Sequence, residues 1–270
     1  MSTTPTPRSS TLRTVLLVVG SILVASIVVY LGVSAITAAN RQDASREIAI
    51  DESFSAIEVT AEVTDVVIEF ADVDEATVRL AQNAERRSMT FEAEVVDDTL
   101  VATVIDHGTG WWLPLDFTDS PRLTIVLPEG GDNLDLTIES DVGDLAVEGD
   151  FAQVTIVSTA GDLRLSGSAA NLEVETTVGD VISRGYAVDD QLTIRSNTGD
   201  VEFALDELPR GIDVSSNVGD QDVELPNGRY RVETSTNVGE VQVDVDQDQG
   251  SSTVYRFETT VGDITVEGSN

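Results

Sequence analysis

The sequence predicts an all-β fold: a β-solenoid of stacked two-strand coils, each about 20 residues long, preceded by one transmembrane helix. Three observations carry this. A short unit of hydroxyl, two residues, Gly and acid recurs seven times, the residues around each copy alternate between apolar and polar, and an uncharged stretch of 22 residues precedes them all.

The unit reads SDVGD at 140–144, STAGD at 158–162, TTVGD at 176–180, SNTGD at 196–200, SNVGD at 216–220, TNVGE at 236–240 and TTVGD at 259–263. Its glycines are spaced by 18, 18, 20, 20, 20 and 23 residues. Five residues before each Gly stand Ile138, Ile156, Val174, Ile194, Val214, Thr234 and Phe257, and seven before stand Leu136, Val154, Leu172, Leu192, Ile212, Val232 and Tyr255. After the acid the alternation resumes, as in Leu145 and Val147 or Val201 and Phe203. Period two on both sides of a Gly makes each unit strand, tight turn, strand. Among the middle units the interval changes by two, which preserves the face that points inward. The longest interval holds its extra residues in the polar loop Asp246–Ser252.

Stacking such units about 4.8 Å apart sets like on like, aliphatics inside with a column of small hydroxyls beside them. An antiparallel sandwich also alternates but gives no reason for the same hydroxyl in every unit. A propeller blade needs about 40 residues, and consecutive single repeats are too alike for paired repeats to form one. The pattern continues N-terminally in worn form. Ile57, Val59 and Ala61, then Val66, Ile68 and Phe70, match with Thr64 in the Gly slot, and residues 77–105 and 123–127 alternate without the turn. The solenoid domain is therefore expected over 48–270, degenerate over 48–132 and regular over 133–268, after a linker at 40–47.

Residues Val15 to Ile36 form the uncharged stretch. As a helix they span about 33 Å, the thickness of a hydrocarbon core. A signal peptide has a shorter apolar run, although the small residues at 37–39 leave cleavage open. The reading is a signal anchor at 15–39 behind a cytoplasmic tail at 1–14. Arg8 and Arg13 precede the span with no acid near them, and Arg41 and Arg46 follow it beside Asp43 and Glu47, so the count of basic residues is even. The free N-terminus and the acidic remainder favour a single-pass protein of the cytoplasmic membrane with its C-terminal domain outside.

The chain has 15 Arg, no Lys, no Cys and 49 acids, for a formal charge of −34. Thiolate chemistry is excluded, and so is binding of nucleic acid by the acidic part, because that requires positive charge. The acid after each Gly would form a column of Asp144, Asp162, Asp180, Asp200, Asp220, Glu240 and Asp263. Its aspartates are the candidate metal ligands, bridged by Ca²⁺ between coils. The simpler reading has each Asp bond its own turn and stay in water. Repulsion of about 0.8 kcal/mol per neighbouring pair is bearable without a metal. Asp141, Thr159, Thr177, Asn197, Asn217, Asn237 and Thr260 would stack in an outer column that bonds along the axis. The one histidine, His107, reads as a solvated loop residue. Trp111 and Trp112 are adjacent in a segment that breaks the pattern. They either pad the open end of the core or contact a ligand or partner, stacking on a sugar or forming a hot spot.

PRLTIVLPEG at 121–130, followed by serial strand-S/T-x-x-Gly-Asp-strand units behind a membrane segment, resembles the bacterial putative adhesin β-strand-repeat family, a domain of unknown function. The likeness covers roughly 48–268. It implies a solenoid-like fold at the cell envelope and brings no catalytic residues with it. Glu240 for Asp and Thr64 for Gly depart little from the pattern, while the insertion at 106–120 has no motif to compare.

The expected function is that of a non-enzymatic, adhesin-like binding or structural module of the envelope, with no cofactor. Its partners are the bilayer, through the N-terminal helix, and an envelope protein or glycan. The alternative is a carbohydrate-active enzyme of the solenoid type using paired carboxylates. Such a site should break the repeat, with unlike polar residues meeting in a cleft, and 134–268 shows no such break.

Overall fold

A computed structural model describes residues 45–82, 89–107, 120–130 and 133–269. The expected signal anchor lies outside the described residues, as do Trp111 and Trp112. Eighteen strands and no helix occur among the described residues. In chain order they are β1 (Ser45–Ile50), β2 (Ala56–Val63), β3 (Asp65–Ala71), β4 (Ala76–Ala81), β5 (Met89–Val96), β6 (Thr99–Asp106), β7 (Arg122–Pro128), β8 (Asp135–Val142), β9 (Leu145–Ala160), β10 (Leu163–Val178), β11 (Val181–Thr198), β12 (Val201–Leu205), β13 (Gly211–Val218), β14 (Gln221–Leu225), β15 (Arg231–Val238), β16 (Val241–Asp244), β17 (Val254–Val261) and β18 (Ile264–Gly268).

Each coil places one strand before its Gly on a first wall and one after it on a second wall. β9, β10 and β11 are long because each runs on from the second wall of one coil into the first wall of the next. Thus Leu145–Phe151 of β9 stack under Leu163–Ala169, while Gln153–Ala160 pair with β8. Along both walls the stacked strands are parallel and in register, save for shifts such as those between β10 and β11 at Leu165/Gly167 and Ala169/Asn171. Period-two patterning turns every second side chain between the walls, so Ile138, Ile156, Val174, Ile194 and Val214 are all fully buried there.

Close stacking at the corner explains the repeated glycine. Gly199 has φ 137°, and a Cβ there would overlap the carbonyl oxygen of Gly179 in the coil beneath. Thr64 takes the same slot without a positive φ, and its hydroxyl is buried with no partner among the described residues. The amide of Asp65 next to it reaches the carbonyl of Pro121 at 2.9 Å.

The coils do not stack in chain order. At the N-terminal end the coil β2–β3 lies between β6–β7 and β8–β9. At the other end β17–β18 is inserted between β13–β14 and β15–β16. The side chains give the reason. Tyr255 and Phe257 are the largest residues in their slots and are 1% and 0% exposed in the inserted coil. Val232 and Thr234, smaller and partly polar, are left half-buried in the outer one. Charge agrees, since Arg256 sits between Asp213 at 3.7 Å and Glu233 at 3.5 Å. Chain order would have set those two acids side by side.

The region 48–132 is only partly a worn copy of the repeat. β2–β3 and β6–β7 are coils, whereas β1, β4 and β5 are antiparallel additions, β4 joining β1 to β7 and β5 pairing with β6. The β5–β6 hairpin turns on Asp97 and Asp98 with φ of 49° and 66°, as a type I′ turn requires. Strand β1 begins at Ser45, inside the segment expected to be a linker, and its Ile50 joins the core.

Candidate functional site

The corner turns bring the seven repeated acids into one column, with Asp65 as an eighth member at its start. Each aspartate carboxylate accepts the backbone N–H of the next acid in the stack. The amide of Asp144 donates to Asp65 Oδ1 at 3.1 Å, that of Asp162 to Asp144 at 3.0 Å and that of Asp180 to Asp162 at 3.2 Å. Asp200 donates to Asp180 at 2.9 Å and Asp220 to Asp200 at 2.8 Å, then Asp263 to Asp220 at 2.8 Å and Glu240 to Asp263 at 2.7 Å. The aspartates thus bond the neighbouring coil's turn, not their own, which corrects the simpler sequence reading. The last link runs through Asp263 to Glu240, following the stack order and not the chain. Glu240 closes the column because no further coil follows it, and the shorter Asp is not needed there.

This arrangement uses carboxylates as structural acceptors. One oxygen of each is engaged, and charge is offset locally by Arg164, 3.5 Å from Asp162 and 4.0 Å from Asp144. Among the described residues no group of three or more His, Cys, Asp or Glu forms a metal-holding cluster. The geometry therefore brings the candidate ligands Asp144, Asp162, Asp180, Asp200, Asp220 and Asp263 into line without converging them on a point.

The hydroxyl column points inward as its parity requires. Ser140, Ser158, Thr176, Ser196, Ser216 and Thr259 are 3–7% exposed. Ser216 donates to Thr259 at 2.9 Å, and Thr236 bonds the carbonyl of Gly262 at 3.0 Å. The column two residues before Gly faces solvent, with Asn217 donating to Asn197 at 2.7 Å. His107 is exposed, its Nε2 2.8 Å from Thr90 Oγ1.

Two surfaces escaped the sequence reading. Beside the acid column runs a ladder of exposed valines at the position before Gly, Val142, Val178, Val218, Val261 and Val238, interrupted by Ala160 and Thr198. Their signal was present as the third letter of xxVGD, but a period-two pattern says nothing of a residue at a corner. The second is an open groove of about 500 Å³ on the outer face of the second wall. Val67, Ala146 and Ile182 line it between Glu69 and Glu148 on one side and Arg164 and Arg184 on the other. Arg184 is held by Glu202 at 2.9 Å. Only stacking assembles these residues, which lie up to 117 positions apart (184 − 67).

Buried tyrosines mark the inside of the stack. Burial pushes the Tyr255 hydroxyl up to about 12, with Tyr230 beside it adding to the effect. That hydroxyl donates to the carbonyl of Pro209 at 2.6 Å, and the two rings stack at 5.0 Å. Glu58 is raised by partial burial and then by the neighbouring Glu139.

The sequence profile named Toastrack DUF4097 matches residues 54–268, all but the N-terminal portion of the chain. The chain belongs to the Toastrack DUF4097 family. Among solved structures, this Toastrack chain is similar to a putative adhesin from Bacteroides fragilis NCTC 9343, at 16% identity and TM-score 0.50, over 83% of this chain and 96% of that one. A putative adhesin from Parabacteroides merdae ATCC 43184 is similar at 10% identity and TM-score 0.45, over 84% and 95%. A putative lipid binding protein from Parabacteroides distasonis ATCC 8503 is similar at 12% identity and TM-score 0.36, over 84% and 96%. No curated protein matches the chain. At 16% identity the likeness to the Bacteroides fragilis protein is one of fold, and it agrees with the all-β architecture of the Toastrack domain.

Proposed function

We propose that this Toastrack protein is a membrane-anchored, extracytoplasmic, adhesin-like module of the bacterial cell envelope that acts by binding or as structure. The observation that carries the reading is the uniformity of its surfaces. Acids and small hydroxyls run as unbroken columns of like residues through all seven repeats, which suits contact along a length and not chemistry at a point. The uncharged run 15–36 after Arg8 and Arg13 supports anchoring, with the acidic domain outside. Its partners are the bilayer, through that run, and an envelope protein or glycan, for which Trp111 and Trp112 stay candidate contacts.

The test uses the full chain on intact cells. Protease admitted through a permeabilised outer layer should degrade 48–270, and cross-linking should capture the same envelope component repeatedly. Protection of 48–270 until the membrane is broken would reverse the topology, and a chain that captures nothing would remove the binding role.

The second reading, a carbohydrate-active enzyme, would act in the groove, where Glu69 and Glu148 lie on adjacent strands. Release of reducing sugar from envelope glycans, abolished by Glu69→Gln or Glu148→Gln, would favour it. No release is expected.

A further inference from the structure

The stack ends openly at β15–β16. Among the described residues β15 pairs only with β17 and β16 only with β18, so each has one unpaired edge. Inward slots that are sealed in every other coil stand open here: Val241 is 44% exposed, where Ile264, Val201 and Val181 in the same slot are 0–1%. Val238 at the corner is 62% exposed. β15 is eight residues long, contains no Pro, and runs in unbroken register with β17, so it lacks the bulges and prolines that usually blunt an edge. The amide of Arg231 faces β17, through Thr253, and alternation turns those of Val232, Thr234 and Thr236 outward. The Val232 amide is met by the side chain of Gln247 at 3.2 Å, a polar group standing where another strand would bond.

Acids outnumber basic residues around this edge, and its Arg231 is already held by Glu233 at 2.8 Å. From Val232 to Thr253 the chain carries Glu233, Glu240, Asp244, Asp246 and Asp248 and no basic residue. Glu240, Asp244, Asp246 and Asp248 are exposed. A second copy docking on the same face would set these acids against themselves, between molecules of charge −34 each. A further coil of the same kind is not templated either, because Glu240 replaces the Asp that elsewhere accepts the next coil's amide.

We infer that the outer edge of β15 is a docking edge for an extended, cationic segment of a partner protein, in which apolar residues alternate with Lys or Arg. The segment adds as a further strand, its backbone bonding the amides of Val232, Thr234 and Thr236. Its apolar side chains cover Val232, Thr234 and Val241, and its basic ones face Glu240 at one end of β15 and Asp246, which lies close to Tyr230, at the other. Gln247 is displaced. This deepens the binding-module reading and rests on it.

The experiment uses the full chain in detergent micelles and a synthetic nine-residue peptide of alternating Val and Lys. At about ten times its dissociation constant the peptide should slow hydrogen exchange in 232–238 about tenfold. Added salt should weaken the effect, and the same peptide with Glu for Lys should have none. Thr234→Pro, which removes an outward amide but is tolerated on an edge, should abolish the protection without changing the melting temperature. Glu240→Arg with Asp246→Arg should abolish it by charge alone. Protection that is absent, lies outside 231–244 or is equal with the Glu peptide would overturn the inference. So would concentration-dependent protection without peptide together with doubled mass, which would assign the edge to a second copy. If the variants lose the peptide effect yet the chain still cross-links its envelope component, that component binds elsewhere and the module reading stands. If capture itself fails, that reading fails with it.

Discussion

Asp200 joins two coils through a single oxygen atom. Its Oδ1 accepts the amide of Asp220 at 2.8 Å, while its own amide donates to Asp180 at 2.9 Å. Removing that acceptor in Asp200→Ala should cost about 1 kcal/mol by urea denaturation, since water can partly replace it. Glu240→Ala at the column's end should stay within about 0.5 kcal/mol. Equal losses would show that the carboxylates do not act by linking coils. The hydroxyl column gives a second contrast. Ser196 is 6% exposed and its Oγ has no protein partner, so Ser196→Asp should cost about 3 kcal/mol or more, as an uncompensated buried charge does. Asn197→Asp, on the solvent side, should cost less than about 1 kcal/mol. Ser196→Ala should be nearly neutral, because Ala61 already fills this slot in the first coil. Equal melting shifts for the two Asp variants would mean the faces are reversed. Glu58 makes a pH prediction. Its folded pKa is raised above the ordinary 4.5, so the folded state binds its proton more readily than the unfolded one. The cost of ionising it is fully felt above the folded value and vanishes below about 4.5. Glu58→Gln should therefore melt above the wild type at neutral pH, and the gap should close as pH falls through that window. A gap that is constant with pH would reject the assignment.

At the scale of the element, the inserted coil β17–β18 is the decisive piece. Phe257 and Thr234 occupy the same repeat slot in coils adjacent both in sequence and in the stack, but one coil is enclosed and the other terminal. Phe257→Ala should cost about 3–5 kcal/mol, as large core truncations do. Thr234→Ala should cost less than about 1 kcal/mol. A stack in chain order would raise the cost at Thr234, which would then lie inside, and lower it at Phe257, which would then lie at the open end. Urea midpoints of the two variants read the order of the coils directly. Arg256, bridging Asp213 and Glu233, is exposed, so its contribution lies more in choosing the arrangement than in total stability.

For the whole molecule the governing quantity is the charge of −34. The acid column places carboxylates along one edge, where each neighbouring pair repels by about 0.8 kcal/mol in water and less with salt. Any cation should relieve this by screening. NaCl and CaCl₂ at equal ionic strength should therefore raise the melting temperature alike, and excess chelator should leave it unchanged. A rise specific to Ca²⁺, lost in Asp200→Asn combined with Asp220→Asn, would make the column a metal site. The same negative field repels polyanions and favours a basic partner at the open end.

What the sequence by itself determined is everything that follows from local periodicity. Which face of each strand is buried, where the corner lies, and that Ser196 points in while Asn197 points out all follow from position relative to the nearest Gly, because side chains in a strand alternate whatever the strand pairs with. The antiparallel additions β4 and β5 were legible as alternating strands, but not as departures from the coil, since alternation does not reveal direction, while β1 was read in part as linker. Tertiary structure alone decided which coil lies on which. Units this alike offer nearly equivalent edges, and the choice between Tyr255 with Phe257 and Val232 with Thr234 for the enclosed place is made only when the whole stack competes for burial. It also decided the partner of each aspartate: an Asp after a Gly can bond its own turn or another's, and only a coil about 4.8 Å away brings the second amide within reach.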